Sequence, residues 1–191
     1  MVIQSDSWRA KELSRMPDTA RSERFEREAL PHLDAAYNLA RWLMRNDKDA
    51  QDVTQEACLR AFRIFDGYQG GNMRTWFLTI VRNTCYTWLH KYPRADSTEL
   101  FNEEIHGPEF PGNSDPEIHV LVNADRETLN RALEELPDLF REALVLRELE
   151  GMSYKEIADI TSSSMGTVMS RLARARTQLR QALSVELSRG Y

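Results

Sequence analysis

Four arginines near the end of the chain occupy a stretch that contains no carboxylate. No Asp or Glu occurs between Asp159 and Glu186, although the whole chain has a formal net charge of −5. The four are Arg171, Arg174, Arg176 and Arg180. Guanidinium groups neutralise phosphates and donate paired hydrogen bonds to guanine, which is binding chemistry rather than catalysis. The stretch therefore predicts a surface that binds a polyanion.

The elements that would position these arginines have the pattern of a short helix, a turn and a long helix. Gly151 ends the preceding helix, and Ser153 and Glu156 have the spacing of a capping box at the start of the short one. Ser163 or Ser164, in the turn "TSSS", can cap the long helix. The apolar stripe of the long helix consists of Val168, Leu172, Ala175, Leu179 and Leu183.

The opposite face of the long helix carries small and basic residues. It consists of Gly166, Ser170, Ala173, Arg174 and Thr177, with Arg171 on one flank and Arg176 and Arg180 on the other. Small residues allow close approach to base edges, and flanking arginines can hold phosphates. The arrangement predicts a helix-turn-helix whose second helix enters the major groove of DNA. A helical hairpin with a solvated basic face is the alternative.

An acidic segment separates this C-terminal block from an N-terminal one. From Ala95 to Asp125 the chain has eight acids and no Lys or Arg, so the remainder carries a formal charge of +3. Five Pro and Gly residues in the same stretch disfavour a packed element. Residues 95–122 are therefore predicted to be a linker between two helical domains. The linker is either a solubilising spacer or a polyanionic strand that occupies a channel built for nucleic acid.

One helix of the N-terminal block has apolar groups on more than one side. Asn46 or Asp47 can cap it. Its main apolar stripe is predicted to consist of Val53, Ala57, Ala61 and Ile64, with Leu59, Phe62 and Phe65 pointing elsewhere. Its acidic flank consists of Asp49, Asp52 and Glu56. Such a helix is either buried within its own domain or offered to a partner.

A glycine-rich loop, "FDGYQGGN", precedes a second helix with basic groups off its apolar face. These off-face residues are Arg74, Arg82, Asn83, Tyr86 and Lys91. Single-stranded nucleic acid needs phosphate neutralisation and a surface for a displaced base, and this combination supplies both. The pattern alone is weak, because basic amphipathic helices are common.

The composition favours a two-domain intracellular binding protein over several other classes. No apolar run is long enough to span a bilayer, and the first twenty residues lack the apolar core of a signal peptide, so the cytoplasm is the expected compartment. Cys58 and Cys85 have no metal-site spacing and are predicted to be core residues, and His106 falls in a predicted loop. We find no nucleophile–base pair, metal cluster or phosphate-cradling glycine loop. The sequence therefore predicts no enzyme activity, cofactor or metal.

The C-terminal block resembles region four of bacterial RNA polymerase sigma factors of the extracytoplasmic-function group. The matching stretches are "LPDLFREALVLRELEGMSYKEIADI" and "GTVMSRLARARTQL". "DAQDVTQEACLRAF" resembles the core-binding helix of region two, and "RTWFLTIVRNTCYTWL" resembles its promoter-melting helix. The resemblance implies promoter DNA and core RNA polymerase as partners, the latter through its β′ clamp helices and β flap. It also makes an anti-sigma factor a candidate partner.

The resemblance implies a role for each matching position. The positions that correspond to the polymerase-binding site are Asp49, Asp52, Gln55, Glu56 and Leu59. Those that correspond to −10 element binding are Tyr68, Gln69, Gly70, Gly71, Asn72, Arg74, Arg82, Asn83 and Tyr86. Those that correspond to −35 element binding are Arg147, Lys155, Thr167, Met169, Ser170, Arg171, Ala173 and Arg174. Met169 stands where Lys or Arg is frequent, and Ser164 replaces a common proline, so the −35 preference is expected to differ.

The sequence therefore predicts an all-α protein of two small domains that acts as an alternative sigma factor. The predicted boundaries are an N-terminal tail of residues 1–20, region two at 21–94, the acidic linker at 95–122 and region four at 123–187. A helix-turn-helix regulator that binds duplex DNA without the polymerase is the second hypothesis. An enzyme with an unrecognised site is the third.

Overall fold

The computed structural model describes residues 18–93 and 126–189, and every regular element in these two ranges is helical. This confirms the all-α prediction. Contacts divide the chain into two compact units, residues 1–90 and 91–191. The predicted acidic linker, at 95–122, and most of the predicted N-terminal tail lie outside the described residues. The predicted domain boundaries stay predictions.

The described residues of the first unit form four helices and two short 3₁₀ turns. The helices are α1 (Asp18–Ala29), α2 (Leu33–Met44), α3 (Asp47–Ile64) and α4 (Met73–Lys91), and the 3₁₀ turns are Leu30–His32 and Phe65–Gly67. Of the two cap candidates for α3, Asn46 is the cap. Its backbone is extended, and its side-chain oxygen accepts a hydrogen bond from the Asp49 N–H at 3.0 Å.

In the first unit α2 and α3 pack against each other, and buried residues of α4 complete the core. Val53, Ala57 and Ala61 are fully buried, as predicted. The prediction that Ile64 continues this stripe is wrong, because Ile64 is 50% exposed and Phe65 is 1% exposed. The step of four from Ala57 to Ala61 leads on to Phe65, so Phe65 turns inward where α3 ends. Cys85 is buried as expected, whereas Cys58 is only half-buried.

The part of the second unit that the structure describes forms four helices, α5 (Arg126–Glu134), α6 (Asp138–Leu144), α7 (Tyr154–Thr161) and α8 (Met165–Arg189), with a π-helical turn at Val145–Leu149. Ser153 and Glu156 form the predicted capping box. Gly151 has a φ of +65°, the left-handed conformation that ends the preceding helix. Ser164 caps α8, because its hydroxyl accepts from the Thr167 N–H at 3.0 Å.

Helix α8 forms the centre of this unit and packs against α5, α6 and α7. Its predicted stripe is confirmed, since Val168, Leu172, Ala175, Leu179 and Leu183 are all buried. This one-sided burial leaves the opposite face of α8 outside the core.

Candidate nucleic-acid interface

The loop between α3 and α4 has a defined conformation that side-chain contacts stabilise. Tyr68 is buried, its ring stacks on Phe65 with centroids 6.1 Å apart, and its hydroxyl donates to the Gly71 carbonyl oxygen at 2.8 Å. Burial raises the pKa of Tyr68, and Glu28 adds to the rise while Arg24 opposes it, so the phenol keeps the proton that it donates. Tyr68 therefore supports the loop from beneath, while residues 69–72 are exposed.

Two glycines give this loop its shape. Gly70 and Gly71 have φ angles of +92° and +108°, which residues with a side chain rarely adopt. Asn72 then starts α4, since its side-chain oxygen accepts from the Thr75 N–H at 3.1 Å. The exposed segment Gln69–Asn72 is thus fixed at both ends, by Tyr68 on one side and by the first turn of α4 on the other.

The residues predicted to lie off the apolar face of α4 differ in their exposure and surroundings. The Arg82 guanidinium lies 4.6 Å from the centre of the Tyr86 ring, and both residues are half-buried, whereas Asn83 is exposed. Burial lowers the pKa of His32, and the charge of Arg74 lowers it further. His32 is therefore neutral at pH 7, and the cation at this end of α4 is Arg74.

The acidic flank of α3 is exposed. Asp52, Gln55 and Glu56 are exposed, and Leu59 beside them is 52% exposed, whereas Asp49 is half-buried. Glu56 forms an ion pair with Arg60 at 3.2 Å, four residues later on the same helix. We call Asp52, Gln55, Glu56 and Leu59 the acidic ridge. An apolar side chain that is half-exposed beside carboxylates is available to a partner.

The outward face of α8 has two chemically different flanks. The methionine flank consists of Met165, Met169 and Ala173, and the two methionines are 51% and 48% exposed. The polar flank consists of Thr167, Ser170 and Arg174, all half-buried. Among the described residues Arg174 has no hydrogen-bond or ion-pair partner, so its guanidinium is available to a ligand.

Two of the other arginines of the acid-free stretch differ from Arg174, whereas Arg180 is exposed. Arg171 is only 9% exposed, deeper than a flank position suggests, because it lies next to Leu172 at the border of the core stripe. Arg176 pairs with Glu148 at 2.8 Å, across to the π-helical turn. Ser170 is also partly engaged, since its hydroxyl donates to the Thr167 carbonyl oxygen at 2.9 Å.

Two further predicted residues lie near the start of α7. Arg147 donates to the Met152 carbonyl oxygen at 2.8 Å, and its guanidinium lies 4.9 Å from the centre of the Tyr154 ring. Lys155, the second residue of α7, is exposed. Lys155 can therefore meet a phosphate directly, whereas Arg147 also holds the chain as it enters α7.

The structure adds a cluster of contacts that local sequence patterns did not indicate. Phe25 and Arg21, on α1, contact the end of α3, and Trp76 lies 5.0 Å from Tyr68 between ring centres. Phe25 belongs to the apolar periodicity of the first helix, which is the only signal that sequence offers for this cluster. Arg21 lies 41 residues from its partner Phe62, and no local spacing indicates such a pair.

The described part of the chain lacks two features of other protein classes. It contains no group of three or more His, Cys, Asp or Glu side chains that could hold a metal ion. None of its helices is both long and apolar enough to cross a membrane.

Two family models match the chain, Sigma-70 region 2 over residues 30–94 and Sigma-70, region 4 over residues 126–179. "ECF RNA polymerase sigma factor SigE" of Mycolicibacterium smegmatis is 36% identical over 154 residues, which is 80% of this chain. The chain spans 59% of that relative's length. "ECF RNA polymerase sigma-E factor" of Escherichia coli K12 is 38% identical over 135 residues, which is 67% of this chain and 70% of the relative.

Solved structures have the same fold. The sigma factor RpoE of Bartonella quintana, in complex with the anti-sigma factor NepR, matches with a TM-score of 0.66 and 28% identity. That match covers 85% of this chain and 98% of RpoE. CnrH, in complex with the cytosolic domain of CnrY, matches with a TM-score of 0.60 and 22% identity, over 94% of this chain and 97% of CnrH. At 22% identity, the second likeness shows the fold alone.

Proposed function

The chain belongs to the extracytoplasmic-function group of sigma-70 RNA polymerase sigma factors, and on that premise we propose how it starts transcription. It binds core RNA polymerase, recognises the −35 and −10 promoter elements and promotes DNA opening. The observation that carries this proposal is the division of α8 into a buried stripe and an outward face that the core does not use. The cytoplasm, where the polymerase works, is the proposed compartment.

A regulator that binds DNA through α8 alone is not favoured. Such a regulator has no use for a second unit that matches Sigma-70 region 2 over residues 30–94. That unit also exposes the acidic ridge and the loop Gln69–Asn72, which the packing of a passive domain does not require.

The proposed function predicts initiation only when core polymerase and this protein act together. We expect mapped transcripts from a matched promoter with both components and none with core polymerase alone. A regulator would change the output of a holoenzyme that already contains another sigma factor. Failure to convert core polymerase into a promoter-specific enzyme, while duplex DNA is still bound, would support the regulator instead.

An anti-sigma factor is a further proposed partner. RpoE of Bartonella quintana, 28% identical to this chain, was solved in complex with the anti-sigma factor NepR. An inhibitor of this kind would have to cover at least one of the surfaces described above, the acidic ridge or the outward face of α8.

The acidic ridge is proposed to bind the clamp helices of the polymerase β′ subunit. Glu56→Arg should weaken core binding roughly tenfold, because it reverses a charge beside the exposed Leu59 at a complementary interface. The free energy of unfolding should change by less than about 0.5 kcal/mol, since an exposed i,i+4 pair with Arg60 contributes little.

Core affinity is measured by fluorescence titration of labelled protein with core polymerase. Glu26→Arg, a reversal of an exposed acid on α1, is the matched control and should bind as the wild type does. Equal core affinity of the Glu56 and Glu26 variants, with unchanged circular dichroism, would remove α3 from the interface.

Arg174 is proposed to contact the −35 element. Arg174→Ala should reduce affinity for the −35 duplex by about 1–3 kcal/mol, because this guanidinium has no partner within the described structure and projects from the outward face. A base contact relaxes preference at one base pair, whereas a phosphate contact weakens all promoters alike and reduces the salt dependence.

The measurement is a titration of holoenzyme with promoter duplexes that carry single −35 substitutions, at two salt concentrations. Gln178→Ala, one turn further along the same side of α8, is the control for truncation of an exposed polar side chain. Wild-type affinity and an unchanged salt slope for the Arg174 variant would contradict this role.

Met169 is proposed to read a thymine methyl group in the −35 element. A half-exposed thioether cannot hold a phosphate, but apolar side chains contact the thymine C5-methyl in the major groove. Replacing that one thymine with deoxyuridine removes its C5-methyl group and should weaken wild-type binding about fourfold. This corresponds to the loss of about 0.8 kcal/mol, the contribution of burying one such group.

The test scans deoxyuridine through every thymine of the −35 element with wild-type, Met169→Ala and Met165→Ala holoenzymes. At one thymine position, deoxyuridine should weaken promoter binding by the wild-type and Met165→Ala holoenzymes. The same replacement should not change binding by the Met169→Ala holoenzyme. If the Met169 variant keeps the full wild-type pattern of sensitivity, Met169 does not read a methyl group.

A further inference from the structure

Helix α1 reaches the end of α3 although it precedes the region that matches Sigma-70 region 2. The match begins at residue 30, whereas α1 spans Asp18–Ala29. The Arg21 Nη2 atom donates to the carbonyl oxygens of Phe62 and Arg63, at 2.7 and 3.3 Å. These carbonyls belong to the last turn of α3, where the helix dipole is negative and intrahelical donors run out. Arg21 thus acts as a C-terminal cap for α3.

The same guanidinium also holds the turn that follows α3. The Arg21 Nε atom lies 3.0 Å from a carboxylate oxygen of Asp66, in the 3₁₀ turn Phe65–Gly67. The Arg21 side chain is 21% exposed and the Asp66 side chain is 44% exposed, so water partly screens this ion pair. One side chain therefore ties the end of α3 to the first residues of the loop.

Aromatic contacts continue the connection into the loop. Phe25, one turn after Arg21, packs edge-on against Phe62 and Phe65, with centroid distances of 5.3 and 5.2 Å. Phe65 stacks on Tyr68, whose hydroxyl binds the Gly71 carbonyl oxygen. A continuous line of contacts therefore runs from α1 to the residue in the middle of the exposed segment.

The loop depends on contacts with residues outside it, because its glycines have no side chains that could pack and fix its conformation. Gly67, Gly70 and Gly71 have no atoms within 4 Å of the place where a Cβ would stand. A glycine-rich loop without such neighbours populates many conformations when it is released, and binding a base would then have to order it.

We propose that Arg21 is a positioning residue for the segment Gln69–Asn72, which it holds in the shape that receives an unstacked base of single-stranded DNA. The inference rests on the proposed recognition of the −10 element, in which we assign to this loop the capture of an unstacked base. Arg21 touches no DNA itself. It acts through Asp66, the end of α3 and Tyr68.

The test measures base discrimination rather than binding alone. Holoenzymes are titrated with single-stranded oligonucleotides of the non-template −10 sequence, one intact and one abasic at the captured base. Arg21→Gln should reduce the affinity ratio of intact to abasic strand about fivefold, the size of one loop-ordering cost. Arg27→Gln is the matched control, because Arg27 is exposed on the same helix and has no hydrogen-bond or ion-pair partner among the described residues.

A second variant keeps the inference testable if Arg21→Gln folds poorly. Asp66→Asn removes the ion pair but leaves the two carbonyl contacts and the aromatic packing, and it should lower the ratio about twofold. Core affinity and melting temperature should stay at wild-type values in the Asp66 variant.

Each result has one meaning. Equal ratios for the wild type and the Arg21, Asp66 and Arg27 variants overturn the positioning role. A loss of core affinity in parallel with the ratio shows a general structural role and also overturns it. A wild type that binds intact and abasic strands equally removes the base-capturing role of the loop, and the inference fails with it, while the core-binding and −35 proposals stand.

Discussion

The backbone groups at the helix ends are the constraint on which both units depend. Each helix leaves N–H groups at its start and carbonyl groups at its end without partners inside the helix. Helices here are as short as the seven residues of α6, so ends are a large part of each domain. Side chains satisfy several of them, although the starts of α2 and α6 have no side-chain cap. Asn46, Asn72, Ser153 and Ser164 accept at the starts of helices, and two arginines donate at helix ends.

The second of these two arginines, Arg141, shows that a side chain that caps a helix end can lie within the core. Arg141 is fully buried and donates to the carbonyl oxygens of Glu134 and Leu136, both at 3.0 Å, where α5 ends. Asp138 pairs with the same guanidinium and balances its charge. A buried arginine is tolerable because carbonyl oxygens and a carboxylate replace the water that it loses. Arg21 does the same for α3 in the first unit, nearer the surface.

Sequence reasoning identified what depends on local spacing. The all-α class, the capping box and the buried stripe of α8 all follow from residues a few positions apart, and the family follows from a resemblance to longer known motifs. It missed what depends on distant partners. Arg21 meets Phe62 across 41 positions, and nothing in the spacing of either residue indicates it. It also misplaced Ile64 and Phe65, because a helical stripe says where a side chain points but not where the helix ends.

The candidate DNA surface illustrates the same division. The sequence shows that the acid-free stretch of α8 has four arginines. It does not show that Arg171 is nearly buried or that Arg176 forms an ion pair with Glu148. The absence of acids along this stretch still matters, because it leaves no carboxylate on α8 beside Arg174.

The one-sided packing of α8 also bears on how such a protein changes over generations. Folding constrains Val168, Leu172 and their buried neighbours more than Met169, Ala173 and Arg174, which lie outside the buried stripe. Substitutions on the outward face are therefore filtered by the promoters that the protein serves and hardly by its stability. Duplicated copies of such a gene could drift toward separate sets of promoters while keeping one scaffold. The same freedom allows a designer to build mutually independent transcription switches by rewriting a few exposed positions.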